Sequence, residues 1–187
     1  MADCRMGRMV IDMNASKNKG DYAEREAVEF LKITASDLLM GTARRKLGAG
    51  RRDDIGDVDA FDDVTVQVKW FNDTVRAQRE ALLGARIQSE RAGTRWYVGM
   101  SPITGARRDR VRWLCVSDEW PSTSRSELPQ FGRASAAIAY FRSMNPGIEV
   151  PPEQRVALVK LANDLVIMGV ATAWVDSLRA ARERVSS

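Results

Sequence analysis

Three short segments of this chain hold side chains whose types and spacing could do chemistry together. They read Lys19-Gly20-Asp21-Tyr22-Ala23-Glu24-Arg25-Glu26, Ile55-Gly56-Asp57-Val58-Asp59-Ala60 and Val64-Thr65-Val66-Gln67-Val68-Lys69-Trp70. The carboxylate of Asp57, the amide oxygen of Gln67 and the backbone carbonyl of Val68 are oxygen donors of the kind a hard divalent cation takes, with water and phosphate completing the shell. Lys69 lies two residues beyond Gln67 and therefore on the same strand face, where its ammonium can orient a water or offset developing negative charge. Glu24, on the border of an apolar helix face, is placed to reach the cation or its water. A cation there polarises a phosphate and acidifies water, so the chemistry this set supports is phosphodiester hydrolysis. The chain contains no histidine. That removes Ser-His and Cys-His nucleophiles, His-ligated zinc and imidazole acid-base work, leaving carboxylates, Lys and metal.

Each fragment also has an ordinary reading. Glu24-Arg25-Glu26 is common helix surface, Gln67 and Lys69 could line an exposed strand face, and Asp57 and Asp59 could be turn carboxylates, as Asp62 and Asp63 are expected to be. Their order and spacing, taken together, carry the functional reading.

Elements that would position these residues can be read from the apolar pattern. Ala23, Ala27, Val28, Phe30 and Leu31 recur at helical spacing, predicting a helix from about Gly20 to Ile33 capped by Asn18 or Asp21. The first 17 residues are expected to be a loose arm. Leu38 to Met40 suggests a short strand, followed by a Gly- and Arg-rich loop from Gly41 to Asp54. Asp57 to Phe61 and Val64 to Trp70 read as a hairpin around Asp62-Asp63. Alternation puts Val64, Val66, Val68 and Trp70 on one face and Thr65, Gln67 and Lys69 on the other. A two-residue loop would pair Asp57 with Val68 and aim its carboxylate away. A longer loop, or a bulge, is therefore expected, to bring Asp57 across towards Lys69.

Further along, Val75 to Arg91 reads as an amphipathic helix between an Asn72-Asp73-Thr74 cap and Gly93, followed by strands at Arg95 to Met100 and Val111 to Ser117. The expected core order is helix, three strands, helix, two strands. Pro121, Pro129 and several Ser mark residues 119–132 as a connector. A helix from about Ala134 to Met144 and a long helix from about Glu153 towards Arg184 would complete a helical extension over residues 133–187. Its middle is apolar nearly all round, so it must pack on the body or on another subunit.

Bulk properties agree with a folded, water-soluble chain. Among 187 residues, 44% are hydrophobic and 29% charged, enough for one core of ordinary size. The net charge of +4 is modest, but Arg44, Arg45, Lys46, Arg51 and Arg52 form one cluster and Arg107, Arg108, Arg110 and Arg112 another. Such clusters suit a polyanion, though they are also common on solvated loops. Cys4 and Cys115 have no metal or redox spacing, and with no signal peptide they fit a reducing, cytoplasmic interior. The longest apolar run, Leu165 to Val175, is too short to span a bilayer.

At the three segments, the chain resembles the PD-(D/E)xK nuclease superfamily, and more closely its archaeal-type and phage Holliday junction resolvases. Their first helix opens with Lys-Gly, a spacer and Ala-Glu-Arg-Glu, matched by Lys19-Gly20 and Ala23-Glu24-Arg25-Glu26. Their metal-binding Asp, with an apolar and then a small residue after it, is similar to Asp57-Val58-Asp59-Ala60, and their Glu-x-Lys strand is similar to Gln67-Val68-Lys69. Gln67 departs from the usual Glu, removing a negative charge from the site. Gln also stands there in Mrr-like restriction endonucleases of the superfamily, and Asp59 could lend a carboxylate. The resemblance covers roughly residues 18–117, about half the chain.

What the resemblance implies is an α/β fold, with a restriction-endonuclease-like core of mixed central sheet flanked by helices, carrying the helical carboxy-terminal extension. It implies an active-site set of Glu24, Asp57, Gln67 and Lys69, with Glu24, Asp57, Gln67 and Val68 around Mg²⁺ or a substituting Mn²⁺. Arg25, with Arg44, Arg45, Lys46, Arg51 and Arg52, would contact DNA. The implied activity is metal-dependent resolution of four-way junctions by a twofold dimer, in the cytoplasm of a cell or phage host. Restriction-like or repair cleavage on the same fold, and a non-catalytic DNA-binding module, are the alternatives.

Overall fold

The computed structural model describes residues 3–46, 56–106, 112–145 and 150–185, with side chains from Lys19 onward. The first helix, α1, spans Asp3–Thr34, so the helix expected from about Gly20 continues back through what was expected to be a loose arm. Over its described side chains, Ala23, Ala27, Val28 and Leu31 form the buried stripe that the helical spacing predicts. Leu38 to Met40 forms no strand but follows a turn at residues 36–38, and the first strand comes later, as β1 at Arg44–Arg45. Two residues flanked by Gly41 and a basic run make only a short edge strand, and its pairing rather than its propensity defines it.

Two further strands, β2 at Val58–Asp59 and β3 at Val64–Val68, form the expected antiparallel hairpin. Helix α2 at Thr74–Ala92 then crosses to β4 at Trp96–Pro102, which lies parallel to β3, and β5 at Trp113–Ser117 returns antiparallel. The ends of α2 follow the sequence closely. Asp73 accepts from the amides of Val75 and Arg76, and Gly93 closes the helix at φ 65°, a left-handed conformation that glycine adopts without strain. The order helix, three strands, helix, two strands therefore stands, with its first strand displaced.

The end of the expected connector forms β6 at Gln130–Phe131, and helix α3 follows at Ala134–Ser143. The long helix expected from Glu153 is instead a β-hairpin, β7 at Val156–Leu161 and β8 at Asp164–Val170, with only the final helix α4 at Ala171–Val185. The hairpin turns through Ala162-Asn163, with Leu161 opposite Asp164 and Ala162 at φ 56°. An apolar run buried on both faces looks the same to a periodicity argument whether it is helix or strand. The deciding signals were Val156, Val159, Val166, Ile167 and Val170, whose branched side chains favour strands, and the turn-forming Asn163.

All eight strands belong to one mixed sheet ordered β1-β2-β3-β4-β5-β8-β7-β6. Chain that was expected to form a separate helical extension thus supplies two strands of the same sheet, the expected connector supplies a third, and β8 pairs directly with β5. Helix α1 covers β1 to β4, while α2 packs on β3, β4 and β5 from the other side and meets α3. Helix α4 joins the α1 side, where Arg179 grips Asp37 and donates to the Thr34 carbonyl. Strand β3 is buried on both faces, and the core runs continuously from Leu31 through Val66, Val98 and Leu114 to Ile167 and Trp174. Each such fully buried aliphatic side chain contributes about 1.5–3 kcal/mol. Among the described residues, no helix is long and apolar enough to cross a membrane.

Candidate active site at the β2–β3 hairpin

Asp57, Gln67 and Lys69 come together. The Gln67 amide nitrogen donates to Asp57 Oδ2, the Val68 backbone N–H donates to the same oxygen at 2.8 Å, and Lys69 Nζ stands 3.6 Å from it. The register that does this is Val58 opposite Val66. The Asp57 N–H also donates to the Val66 carbonyl at 2.9 Å, so two successive residues of one strand address a single residue of the other. That local bulge re-aims Asp57, as the hairpin argument requires, although the direct Asp57–Lys69 pairing is replaced by this register. Gly56 beside it sits at φ 118°, with the Val66 carbonyl 3.2 Å from where a Cβ would stand, so a side chain there would be strained and tightly packed.

Gln67 is 1% exposed, and its amide is split between two environments. Nε2 is satisfied by Asp57, while Oε1 is buried without a hydrogen-bond partner, against Gly84 of α2. An orphaned buried acceptor is costly, about 1–3 kcal/mol. Turned over, the amide would put Oε1 towards the Asp57 carboxylate, an arrangement favourable only with a cation between the two oxygens. The pair therefore fits a hard divalent ion as donors, one ionised and one neutral. Lys69, 37% exposed at its side chain, borders the pair on the solvent side.

Glu24 is held elsewhere. Its Oε2 accepts from both Nε and Nη2 of Arg45, at 2.7 and 2.5 Å, and Arg45 reaches Asp21 at 2.9 Å. These bonds follow from topology, because Arg45 of β1 sits opposite Val58 and under α1, whereas Gln67 faces α2 on the other side of the sheet. Burial works against the Arg45 charge, but Glu24 and Asp21 outweigh it and hold the guanidinium protonated above its ordinary range. Asp59, considered as a compensating ligand, is engaged by Arg44 at 2.9 Å and Lys46 at 3.8 Å. Asp62 and Asp63 are turn residues, facing Arg182 at 3.6 and 2.5 Å. Among the described residues, no three carboxylates or thiols gather into a metal-binding group.

Of the expected DNA contacts, Arg25 and Arg44 are exposed and Lys46 is half-buried, while Arg45 is committed to its two carboxylates. Arg51 and Arg52 lie outside the described residues, as do Arg107, Arg108 and Arg110. Arg112 stands 3.7 Å from Glu26 on the first helix. Sequence reasoning missed the Arg45–Glu24 pair, since a basic residue in a Gly-rich run gives no sign of which carboxylate a short edge strand will present it to. Comparison of the chain with protein-family models, with curated proteins and with solved structures finds no match in any of the three.

Proposed function

We propose that the protein is a metal-dependent endonuclease with a restriction-endonuclease-like core, acting as a homodimer on branched DNA and above all on four-way junctions. The observation that carries this reading is the convergence of Asp57, Gln67 and Lys69 on one carboxylate oxygen at a bulged hairpin. The order of α1, the antiparallel β1–β3 and the α2 crossover to a parallel β4 supports the core assignment.

Asp57 and the Gln67 amide oxygen would hold Mg²⁺, or Mn²⁺ in its place. When bound, the ion supplies Lewis-acid assistance to phosphodiester hydrolysis. Lys69 offers its ammonium to a phosphate oxygen or to the attacking water and offsets charge that grows in the transition state. Arg25, Arg44 and Lys46 bind backbone phosphates, so affinity falls with salt and carries little base information. Glu24, held by Arg45 on the α1 side of the sheet, has no part in this set.

One observation favours a different class, a DNA-binding module without cleavage. Gln67 is neutral and Glu24 is sequestered, which leaves Asp57 as the ionised carboxylate at the site. The deciding experiment incubates the protein with a labelled four-way junction, a linear duplex and a flap, with and without Mg²⁺. Paired nicks near the crossover, dependent on Mg²⁺, are expected. Asp57→Asn and Lys69→Ala should each abolish cleavage and leave junction binding within about threefold. Cleavage surviving in both variants would refute the site, and binding with no cleavage at any Mg²⁺ concentration would select the binding module.

A further inference from the structure

At Trp70, the residue after Lys69, a pocket of about 190 Å³ opens at the end of the sheet where β3 and β4 finish and β5 begins, roofed by α1. Its lining is mainly aromatic and apolar, from Tyr22, Trp70, Ile103 and Trp113, with Glu26 and Arg112 as charged groups. Tyr22 and Trp70 face one another with ring centroids 5.7 Å apart at 42°. Tyr22 is 51% exposed, so its ring is open to a ligand at the pocket mouth. Trp70 Nε1 is buried without a hydrogen-bond partner, a donor the protein itself leaves unsatisfied. The location, outside the carboxyl ends of two parallel strands, is where open α/β sheets commonly place ligands.

Resting on the nuclease reading, we infer that this pocket takes one unpaired nucleobase from the strand whose phosphate lies at Asp57 and Lys69. The volume is below the roughly 300–1,000 Å³ of sites for drug-sized ligands, so it suits a single flat ring system rather than a base pair. Aromatic walls stack on a base without regard to its identity, and the indole N–H offers a donor to a base edge. Trp70 follows Lys69 directly, so the Asp57–Gln67–Lys69 set and the ring pocket are joined through the end of β3. Arg112, half-exposed at the rim, suits the next phosphate along. A fully paired duplex has no base to offer, whereas a branch point or a single-stranded flap does so at small cost. The pocket therefore selects DNA in which one nucleotide is already unstacked.

The test uses the full chain in EDTA, so that cleavage plays no part, and a short single-stranded oligonucleotide carrying fluorescent aminopurine at one position at a time. At one position the fluorescence is expected to be quenched by stacking. Tyr22→Ala should remove that quench and weaken binding by about 5- to 100-fold, the loss expected of one base-aromatic stack, while Tyr22→Phe keeps both. An abasic residue at the same position should weaken wild-type binding to the same degree and leave Tyr22→Ala no weaker. Because Tyr22 is exposed, unchanged thermal unfolding of the variants is expected and is checked alongside. DNA bound by Tyr22→Ala as tightly as by wild type, or additive effects of the two changes, overturns the base pocket and leaves the nuclease reading standing. Failure of every DNA form to bind overturns both.

Discussion

Replacing Gln67 with Glu tests the centre of the site by restoring the carboxylate the resolvase pattern would have there. In the structure the Gln67 amide donates to Asp57 Oδ2, and Gln67 is 1% exposed, so the variant places a second carboxylate in direct contact with the first. Two like charges about 3–4 Å apart at an effective dielectric constant of about 20 repel by about 4–5 kcal/mol. The protein can escape by keeping one proton on the pair. At pH 7 that costs about 3.7 kcal/mol, since each pKa unit is about 1.4 kcal/mol and an ordinary Glu sits near 4.3. The cheaper route sets the upper limit, and Lys69 at 3.6 Å from Asp57 lowers it further. The variant should therefore lose about 2–4 kcal/mol without metal, roughly 5–15 °C in Tm for a chain of this size. The sign with pH follows directly. A carboxyl whose proton affinity is raised in the folded state costs nothing below about pH 4 and its full penalty once pH passes the folded pKa. Adding Mg²⁺ to 100 times its Kd stabilises the folded state by about 2.7 kcal/mol and should raise the variant's Tm more than the wild type's. Thermal unfolding at several pH values, with EDTA and with Mg²⁺, reads all of this. A variant that melts within a degree or two of wild type at pH 7 would refute the Asp57–Gln67 contact. One that is destabilised but not recovered by any divalent ion would leave the contact standing and remove the metal.

Further perturbations address the frame around the site. Gly99 of β4 lies under α2, where a Cβ would stand 2.6 Å from the Ala81 carbonyl carbon and 2.7 Å from the Leu82 nitrogen, so Gly99→Ala must push the helix away. It should cost about 1–3 kcal/mol in chemical denaturation, whereas Gly132→Ala, with nothing near its Cβ, should be close to neutral. Burial, with the hydrogen bond that Tyr97 donates to Asp118, pushes the phenol up to about 12, so a tyrosinate absorbance titration should show a component ionising near pH 12 that Tyr97→Phe removes. Its contribution to stability is complete below pH 10 and lost as pH rises towards 12. Asp118 moves the opposite way: burial raises its pKa, but hydrogen bonds from Arg86 and Tyr97 prevail and lower it, so its contribution is lost only as acid brings the pH below about 4. Arg182→Ala removes the bond to Asp63 and should reduce junction cleavage several-fold while leaving DNA binding near wild type; unchanged cleavage rates would show that the turn holds itself.

How much of this was legible in the sequence depended on whether the signal was local. Asp73 and Gly93 bound α2 because a cap and a left-handed terminus are properties of a few adjacent residues. The meeting of Asp57 with Gln67 and Lys69 was legible for a similar reason, because a tight hairpin and strand alternation fix which side chains can share a face. Glu24 was not, since its partner depends on where β1 docks, and nothing near Arg45 in sequence reports that α1 lies above it. The hairpin at residues 156–170 was misread as helix because burial on both faces erases the period that separates the two. That burial comes from helices packed on the sheet, α3 against β7 and β8 and α4 against β8, which periodicity within the hairpin does not report.

The same error hid what the carboxy-terminal chain does for the site. Strand β8 pairs with β5 and carries the chain directly into α4, which therefore lies across the α1 face of the sheet. There Trp174 packs edge-on against Phe61 at 5.8 Å, and the Arg182 guanidinium lies 5.6 Å from the centre of that ring. Arg182 also bonds Asp63 at 2.5 Å and the Leu38 carbonyl at 2.7 Å. Phe61, Asp62 and Asp63 are the residues that turn β2 into β3, so α4 grips the loop whose geometry sets the Val58–Val66 register. A one-residue slip in that register would send Asp57 to the other face of the strand and away from Gln67. A hairpin with a bulge in one arm has more than one pairing within reach, and local propensity alone does not choose between them. The last helix, through Trp174 and Arg182, is a long-range contact that holds this turn in the observed register.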